Sequence, residues 1–487
     1  MVFGKGSLAL LTDFYQLSMA YAYYKAGLAE RHAAFHLFFR RPPFKGGFTI
    51  ACGLESLIEF VEQFSFSKQD LEYLRSLKNP AGAPYFDDGF LRMLSKLRLK
   101  VTIDAVPEGT AVFPYEPLVK VEGPLLQCQL LESPILNLIN FPTLIATKAA
   151  RVCLAAYPDP VLEFGMRRAQ GIDGALTASR AAYVGGCSST SNVLAGKHFG
   201  IPVQGTIAHS WVMVFDKEED AFMAYAKVMP ENCILLVDTY DSITGVKNAI
   251  RVGKWLRTQG KKLRGIRLDS GDLAQLSIES RKLLNEAGFD DAQIVASNEL
   301  DEVVISELKR QGAKISMWGV GTNLVTGKDQ PALDGVYKLS AIKDIKGKWK
   351  YTLKLSEQLS KVSNPGLLQI RRFMDEGMFV GDLMYDVPLG ARHPYNNVDP
   401  FDPTKQIALS SDMESYDVLV PIFKKGKRVY NSPSLHEIRK TTQRELAALP
   451  VGVKRFLNPH LYPVVMERHL YDLKVDLIKK IRKKVHG

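Results

Sequence analysis

The segment CILLVDTYDSITGVKNAIRVGKWLRTQGKKLRGIRLDSGDLAQLSIESRKLLNEAGFDDAQIVASN, residues 233–298, reads as strand, helix, strand, helix, strand. CILLVDTY (233–240), LRGIRLDS (263–270) and AQIVASN (292–298) are short apolar runs, each closing in polar residues. Between them, Ser242 to Leu256 and Asp272 to Glu286 carry apolar side chains at helical spacing, and Gly288 stands just past the second helix, where a left-handed cap is wanted. Such alternation implies a parallel sheet, because a helix must carry the chain back before the next strand can run the same way.

The pattern extends in both directions. VLEFGM (161–166) and IPVQGTIAHS (201–210) read as strands upstream, KISMWGVG (314–321) and GVYKLSAI (335–342) as strands downstream, with a helix from Asp301 to Gln311 capped at Gly312. About six such repeats suit a closed ring better than an open sheet. The expected fold class is α/β: an irregular parallel α/β barrel over residues 156–385, after an N-terminal α+β domain at 1–155 and before a C-terminal extension at 386–487. In the N-terminal part, Asp13 to Gly27, Gly53 to Phe64 and Ser133 to Ala156 read as helices. LKVTIDAVPEGTAVFPYEPLVKVEG (99–123) is punctuated by Pro and Gly and reads as short antiparallel strands.

Bulk properties narrow the class. A chain of 487 residues exceeds what one hydrophobic core usually supports. Its 46% hydrophobic and 24% charged content is that of a globular protein and excludes a disordered chain. No long uncharged apolar run suggests a membrane span, and the N-terminus lacks the pattern of a signal peptide. Cys52, Cys128, Cys153, Cys187 and Cys233 are too irregularly spaced for a disulfide framework or a structural zinc site, so reduced thiols in a cytoplasmic protein are expected. The net charge of +11 resides in the last 64 residues, which hold 16 Lys and Arg against 5 Asp and Glu. That distribution reads as a solvated helix face, and no zinc-finger spacing or RNA-binding aromatic motif accompanies it, so no specific nucleic-acid partner is expected.

The chemistry gathers at strand ends. The first strand of the repeat ends in Glu163, Phe164, Arg167 and Arg168, the second in His209 and Ser210, the third in Asp238 and Asp241. Arg267, Asp269, Ser270 and Asp272 end the fourth, Ser297 and Asn298 the fifth, Gly319 and Gly321 the sixth. In α/β barrels such positions converge on one rim and build the active site. Paired arginines, the small-residue loops GGCSSTSN (185–192) and GVGTN (319–323), and carboxylates suit a phosphorylated sugar: Arg and backbone N–H groups hold phosphate, and Asp binds Mg²⁺ or ribose hydroxyls. No complete dinucleotide fingerprint or P-loop is present. The imidazole of His209 has the chemistry to attack a phosphoryl group.

Taken together, EFGMRRAQGIDGALTASR (163–180), SSTSN (188–192), GTIAHS (205–210), LVDTYDS (236–242), GIRLDSGD (265–272) and VGTNLVTGKDQPALDGVYKL (320–339) resemble the nicotinate phosphoribosyltransferases. TDFYQLSMAY (12–21) and FHLFFRRPPFKGGF (35–48) extend the likeness to most of residues 10–370. The resemblance implies an ATP-coupled, ligase-type transferase of NAD salvage. It would join nicotinate to phosphoribosyl pyrophosphate, giving nicotinate mononucleotide and pyrophosphate, with Mg²⁺ as cofactor and a homodimer whose active sites are shared. By position, His209 would be phosphorylated by ATP, and Phe164 and the partner's Tyr15 would sandwich the pyridine. Arg267 would lie beside the nicotinate carboxylate. Arg167, Asp238 and Asp269 would hold ribose, pyrophosphate and Mg²⁺, with Asp269 as metal residue; Gly321 and Thr322 would receive the 5′-phosphate. Uncharged Ser191 and Asn192 stand where nicotinamide-using relatives have a carboxylate, which favours the anionic substrate. Ser189, Glu299 and Trp318 depart from the family's usual Gly, Asp and Phe.

Overall fold

The computed structural model of the chain describes residues 7–358, 361–392 and 394–486. Two compact units divide it: residues 145–331 form one, while residues up to 144 join those from 332 onward to form the other. The division by sequence at 155/156 and 385/386 does not coincide with this grouping.

The 145–331 unit holds six parallel strands: β1 (Val161–Glu163), β2 (Ser189–Thr190), β3 (Ile234–Leu236), β4 (Gly265–Leu268), β5 (Gln293–Ala296) and β6 (Met317–Val320). They are ordered β2-β1-β6-β5-β4-β3. The helices of the crossovers include α1 (Gly171–Val184), α2 (Ser242–Thr258), α3 (Leu273–Glu286) and α4 (Glu302–Arg310). The carboxylates of Asp241, Asp272 and Asp301 accept from backbone N–H groups in the first turns of α2, α3 and α4 at 2.8–3.1 Å. Each replaces a hydrogen bond that a helix start otherwise lacks. Asp241 and Asp272 are thus helix caps. Leu162, Val295 and Met317 form a small apolar cluster, with Ile234 and Phe164 packed against it.

The expected closed barrel is corrected to an open sheet. β6 pairs with β1, as a ring requires, but among the described residues no strand pairing joins β2 to β3. IPVQGTIAHS is not a strand. It contributes a single parallel bridge, Thr190 with Val203, through Thr190 N donating to Pro202 O and Gln204 N to Thr190 O, both 3.0 Å. Proline has no N–H to continue the ladder. Beyond it, Gly205 O accepts from the Asn232 side chain at 3.3 Å instead of from a strand, and the chain enters a short helix at His209–Met213.

The last expected barrel strand is also corrected. GVYKLSAI belongs to the other unit, where Val336–Lys343 pairs antiparallel with His32–Phe38. It lies in a seven-stranded sheet ordered Trp349–Tyr351, Val336–Lys343, His32–Phe38, Val119–Pro124, Thr102–Ala105, Val420–Lys424, Lys427–Arg428. The segment read as a C-terminal extension therefore supplies strands to the sheet of the N-terminal residues. Phe14–Lys25 and Leu54–Gln63 are helices, as their spacing implied.

A buried charge cluster ties distant parts of this second unit together. Arg372, on the strand Leu368–Asp375, is fully buried. Its Nε and Nη2 donate to the carboxylate of cross-strand Asp382 at 2.7–3.2 Å, and Nη1 donates to Glu445 Oε2 at 3.0 Å from the helix Leu435–Ala448. Tyr462 OH donates to Asp382 Oδ1 at 2.9 Å. Glu116, also buried, accepts from Phe113 N at 2.8 Å.

Among the described residues one helical stretch, Leu125–Ala156 with mean hydropathy 1.2, is long and apolar enough to cross a membrane. Two-thirds of its apolar window is buried within the chain, as in a core helix. Its last turns carry Lys148 and Arg151, which meet Glu302 at 2.6 and 2.8 Å.

Candidate active site

The ends of β1, β3, β4, β5 and β6 converge. Arg267, the third residue of β4, lies between Leu236 of β3 and Val295 of β5 in the ladder. Its Nε donates to Ser297 Oγ at 2.7 Å, Nη1 to Thr206 Oγ1 at 3.0 Å and Nη2 to Asp269 Oδ1 at 2.7 Å. A guanidinium has five N–H groups, so two remain without a partner among the described residues. The Phe164 ring stands with its centroid 5.9 Å from the guanidinium carbon. A fixed cation with spare donors beside an aromatic face is suited to a flat aromatic acid.

Backbone details hold the ring there. Phe164 N donates to Val320 O at 2.8 Å. A Cβ on Gly319 would lie 2.8 and 2.9 Å from two Phe164 ring carbons, so only glycine leaves room. The buried Glu163 accepts from Gly165 N, from Ser179 Oγ at 2.8 Å and from Thr190 Oγ1 at 2.5 Å. It thereby binds the turn after β1 to α1 and to the SSTSN loop. Ser191 N donates to Glu163 O at 2.9 Å, and Asn192 caps the following helix by accepting from Ala195 N.

The carboxylates form a chain. Asp269 accepts from Arg267 and from the Ser297 hydroxyl, and its Oδ2 is 3.7 Å from His209 Nε2. Burial alone would raise the Asp269 pKa; the Arg267 charge and the Ser297 and Arg267 hydrogen bonds outweigh it and hold the group below the ordinary carboxylate value. Asp238 Oδ2 accepts from Asp269 N at 2.9 Å and Ser270 Oγ at 2.6 Å, while its buried Oδ1 has no partner among the described residues. His209 Nδ1 is hydrogen bonded to Thr239 Oγ1 at 3.2 Å.

The remaining candidates take different positions. Arg167 and Arg168 lie on the 3₁₀ turn Met166–Arg168 and are exposed, with no side-chain partner among the described residues. Asn298 is exposed at φ 98°, directly after Ser297. Gly321 follows β6, where an added Cβ would stand 3.2 Å from Phe164 O; Thr322 begins a one-turn helix. Tyr15 belongs to the other unit, on the helix Phe14–Lys25, and is 47% exposed beside equally exposed Phe14. Thr206 and Thr239 were missed from sequence. Their only signal is a hydroxyl in a strand-end segment, which threonine supplies commonly.

Comparison with known proteins bears on this geometry. Residues 10–140 match the nicotinate phosphoribosyltransferase N-terminal domain, 160–362 the nicotinate phosphoribosyltransferase family and 369–474 its C-terminal domain. The chain is 41% identical to a nicotinate phosphoribosyltransferase of Bacillus subtilis, over 99% of this chain and 98% of that one. It is 35% identical to a Homo sapiens nicotinate phosphoribosyltransferase, over 95% of each. The crystal structure of human nicotinic acid phosphoribosyltransferase superposes with a TM-score of 0.83 at 32% identity, over 96% of this chain and 99% of that one. A nicotinate-nucleotide pyrophosphorylase from Pyrococcus furiosus, at 21% identity and TM-score 0.68 over 90% and 95%, shares the fold.

Proposed function

The chain belongs to the nicotinate phosphoribosyltransferase family, and from that premise we propose that it condenses nicotinate with phosphoribosyl pyrophosphate under ATP coupling through a phosphohistidine at His209. The observation that carries the reading is Arg267, held by Ser297, Thr206 and Asp269 with two N–H groups to spare against the Phe164 ring. Nicotinate would stack on Phe164 with its carboxylate on Arg267. Attack by the pyridine nitrogen on the ribose anomeric carbon would break the bond to pyrophosphate. Positive charge developing on the ribose would be met by Asp238 and Asp269, and negative charge on the leaving group by Arg167 and Arg168. Gly321 and Thr322 are the proposed seat of the 5′-phosphate, with Ser191 and Asn298 on loops beside the same rim.

With His209 Nδ1–H donating to Thr239, the Nε2 lone pair is left for the terminal phosphoryl group of ATP; a P–N bond forms and ADP departs. Asp269 Oδ2, 3.7 Å from Nε2, would lie beside the positive charge that the ring gains on phosphoryl transfer. No group of three His, Cys, Asp or Glu able to hold a metal occurs among the described residues. Mg²⁺ needs none, since it is commonly bound by one or two carboxylates plus substrate phosphates. Asp238 Oδ1, which has no partner among the described residues, and the Asp269 carboxylate fit that requirement. Bound there, Mg²⁺ would offset the charge of pyrophosphate. The cysteines are thiols, four of them buried, which supports a cytoplasmic setting.

Turnover with nicotinate against nicotinamide, each with and without ATP, tests the proposal. Nicotinate should be preferred and ATP should stimulate; equal use of both pyridines would refute it. Arg267→Ala is expected to raise the nicotinate KM by roughly 10- to 150-fold, the loss of one charge-assisted hydrogen bond of about 1.5–3 kcal/mol. Nicotinamide turnover should suffer less, and an unchanged preference ratio would put the carboxylate elsewhere.

The same proposal makes the protein a homodimer with Tyr15 serving the partner's site. Exposure of Phe14 and Tyr15 supports it, since large aromatic groups are enriched at interfaces. Tyr15→Ala and Asp269→Ala, each inactive alone, should complement when subunits exchange. Random exchange makes about half the dimers mixed, each with one undamaged site, so about a quarter of all sites should work. Activity left at the parental background, with exchange confirmed by differently tagged subunits, would show that each subunit uses its own Tyr15.

A further inference from the structure

Lys474 stands on the helix Arg468–His486 of the second unit. Its ammonium donates to Asn364 Oδ1 at 2.8 Å. Among the described residues that neutral amide is its one polar partner, and no carboxylate pairs with it. Asn364 Nδ2 donates in turn to Met384 Sδ at 3.4 Å, which orients the amide oxygen toward the lysine. Lys474, Asn364 and Tyr115 line a cavity of about 40 Å³ whose other, apolar walls include Pro114, Val362, Met384, Pro400, Val465 and Phe401. Phe401 is 59% exposed. One water takes roughly 10–15 Å³ on this scale, so the space suits a molecule of a few heavy atoms.

The energetics of this arrangement are lopsided. Burial pushes the Lys474 pKa down to about 8, so near neutral pH the group is still mostly cationic. A cation in apolar surroundings is costly unless it is paired. Two of its three N–H groups have no protein acceptor among the described residues. Lys474 is only partly buried, and an anion is the partner that its ammonium lacks among the described residues; the mostly apolar walls specify what should accompany it.

We propose that this cavity binds a small aliphatic monocarboxylate of two to four carbons, its carboxylate paired with Lys474 and its alkyl group against the apolar walls. Inorganic anions satisfy the charge and leave the walls unmatched; neutral isosteres satisfy the walls and leave the ammonium unpaired.

Propionate is the probe, propionamide its neutral isostere and chloride at equal ionic strength the control. The readout is the rate at which trinitrobenzenesulfonate modifies Lys474 in the intact full-length protein, followed by peptide mass. Propionate is expected to slow that modification by roughly tenfold or more, while propionamide and chloride leave it unchanged. The measurement is local, so carboxylate binding at Arg267 does not register in it. Propionate should also raise the Tm of the wild type and lose that effect in Lys474→Met, which keeps an unbranched stem one atom shorter and removes the charge. If Lys474→Met fails to fold, the wild-type protection experiment still decides. Equal protection by propionamide or chloride, or none from propionate up to about 0.1 M, overturns the proposal.

Discussion

His209→Ala is expected to abolish ATP hydrolysis and all stimulation by ATP, while slow ATP-independent synthesis of nicotinate mononucleotide persists. The imidazole is the nucleophile proposed for the phosphoryl group, and neither hydroxyl near it, Thr239 or Ser210, forms the acid-labile bond that a phosphoimidazole does. The rest of the site should survive the change. Arg267 keeps Ser297, Thr206 and Asp269 as partners without His209. Asp269 also stays ionised, because the causes that lower its pKa are led by Arg267, with His209 the smallest. Incubation with γ-labelled ATP should leave acid-labile label on the wild type only. Equal labelling of His209→Ala would refute the phosphohistidine, and equal loss of ATP-independent synthesis would mean that His209 serves the ribosyl transfer itself.

Arg372→Ala should destabilise the protein by about 3–5 kcal/mol, the usual cost of removing one partner from a buried ion pair. Arg372 and Asp382 are both fully buried, and the guanidinium also lies 4.7 Å from the Phe379 centroid and 5.4 Å from that of Phe113. Without it, Asp382, Glu445 and Glu116 share a buried site with no cation among the partners described. The effect should depend on pH. Burial raises the pKa of Glu116 and of Glu445, and Arg372 is the principal charge opposing the rise in each. Removing it raises both further. A carboxyl whose folded pKa lies above its unfolded value contributes stability that is present below the unfolded pKa and lost as pH rises through the folded one. The penalty in Arg372→Ala is therefore expected to grow from acidic to alkaline pH. Denaturant melts of wild type and variant across that range measure it. A penalty that is constant, or larger in acid, would show that the aromatic packing and not the charge carries the effect.

How much was legible in the sequence differs from residue to residue. Phe164, Asp238, Asp269 and Ser297 stand one or two residues beyond strand ends that apolar runs and turn residues had marked, and the structure joins them around Arg267. Asp241 and Asp272 carried the same strand-end signal and are helix caps. Sequence position does not distinguish the two uses, since both call for a carboxylate just after a strand. IPVQGTIAHS is as apolar as its neighbours, but Pro202 and the acceptors at Gly205 and Thr206 turn it into a loop.

The alternation of strand and helix from residue 233 to 320 and the polar groups at those strand ends were legible in the amino-acid sequence alone. These depend on side-chain periodicity and on turn and cap chemistry within a few neighbours. It also carried the family membership, through motifs whose order and spacing are read along the chain. Only the tertiary structure decided where the parallel sheet ends, that Val336–Lys343 pairs with His32–Phe38, and that Val420–Lys424 completes the same antiparallel sheet. It alone placed Arg372 among carboxylates from three distant segments and left Lys474 facing a mostly apolar cavity with, among the described residues, a single neutral partner. These outcomes depend on which surfaces meet across as many as three hundred residues. Their free energy comes from burial and pairing that exist only once the partners are in contact.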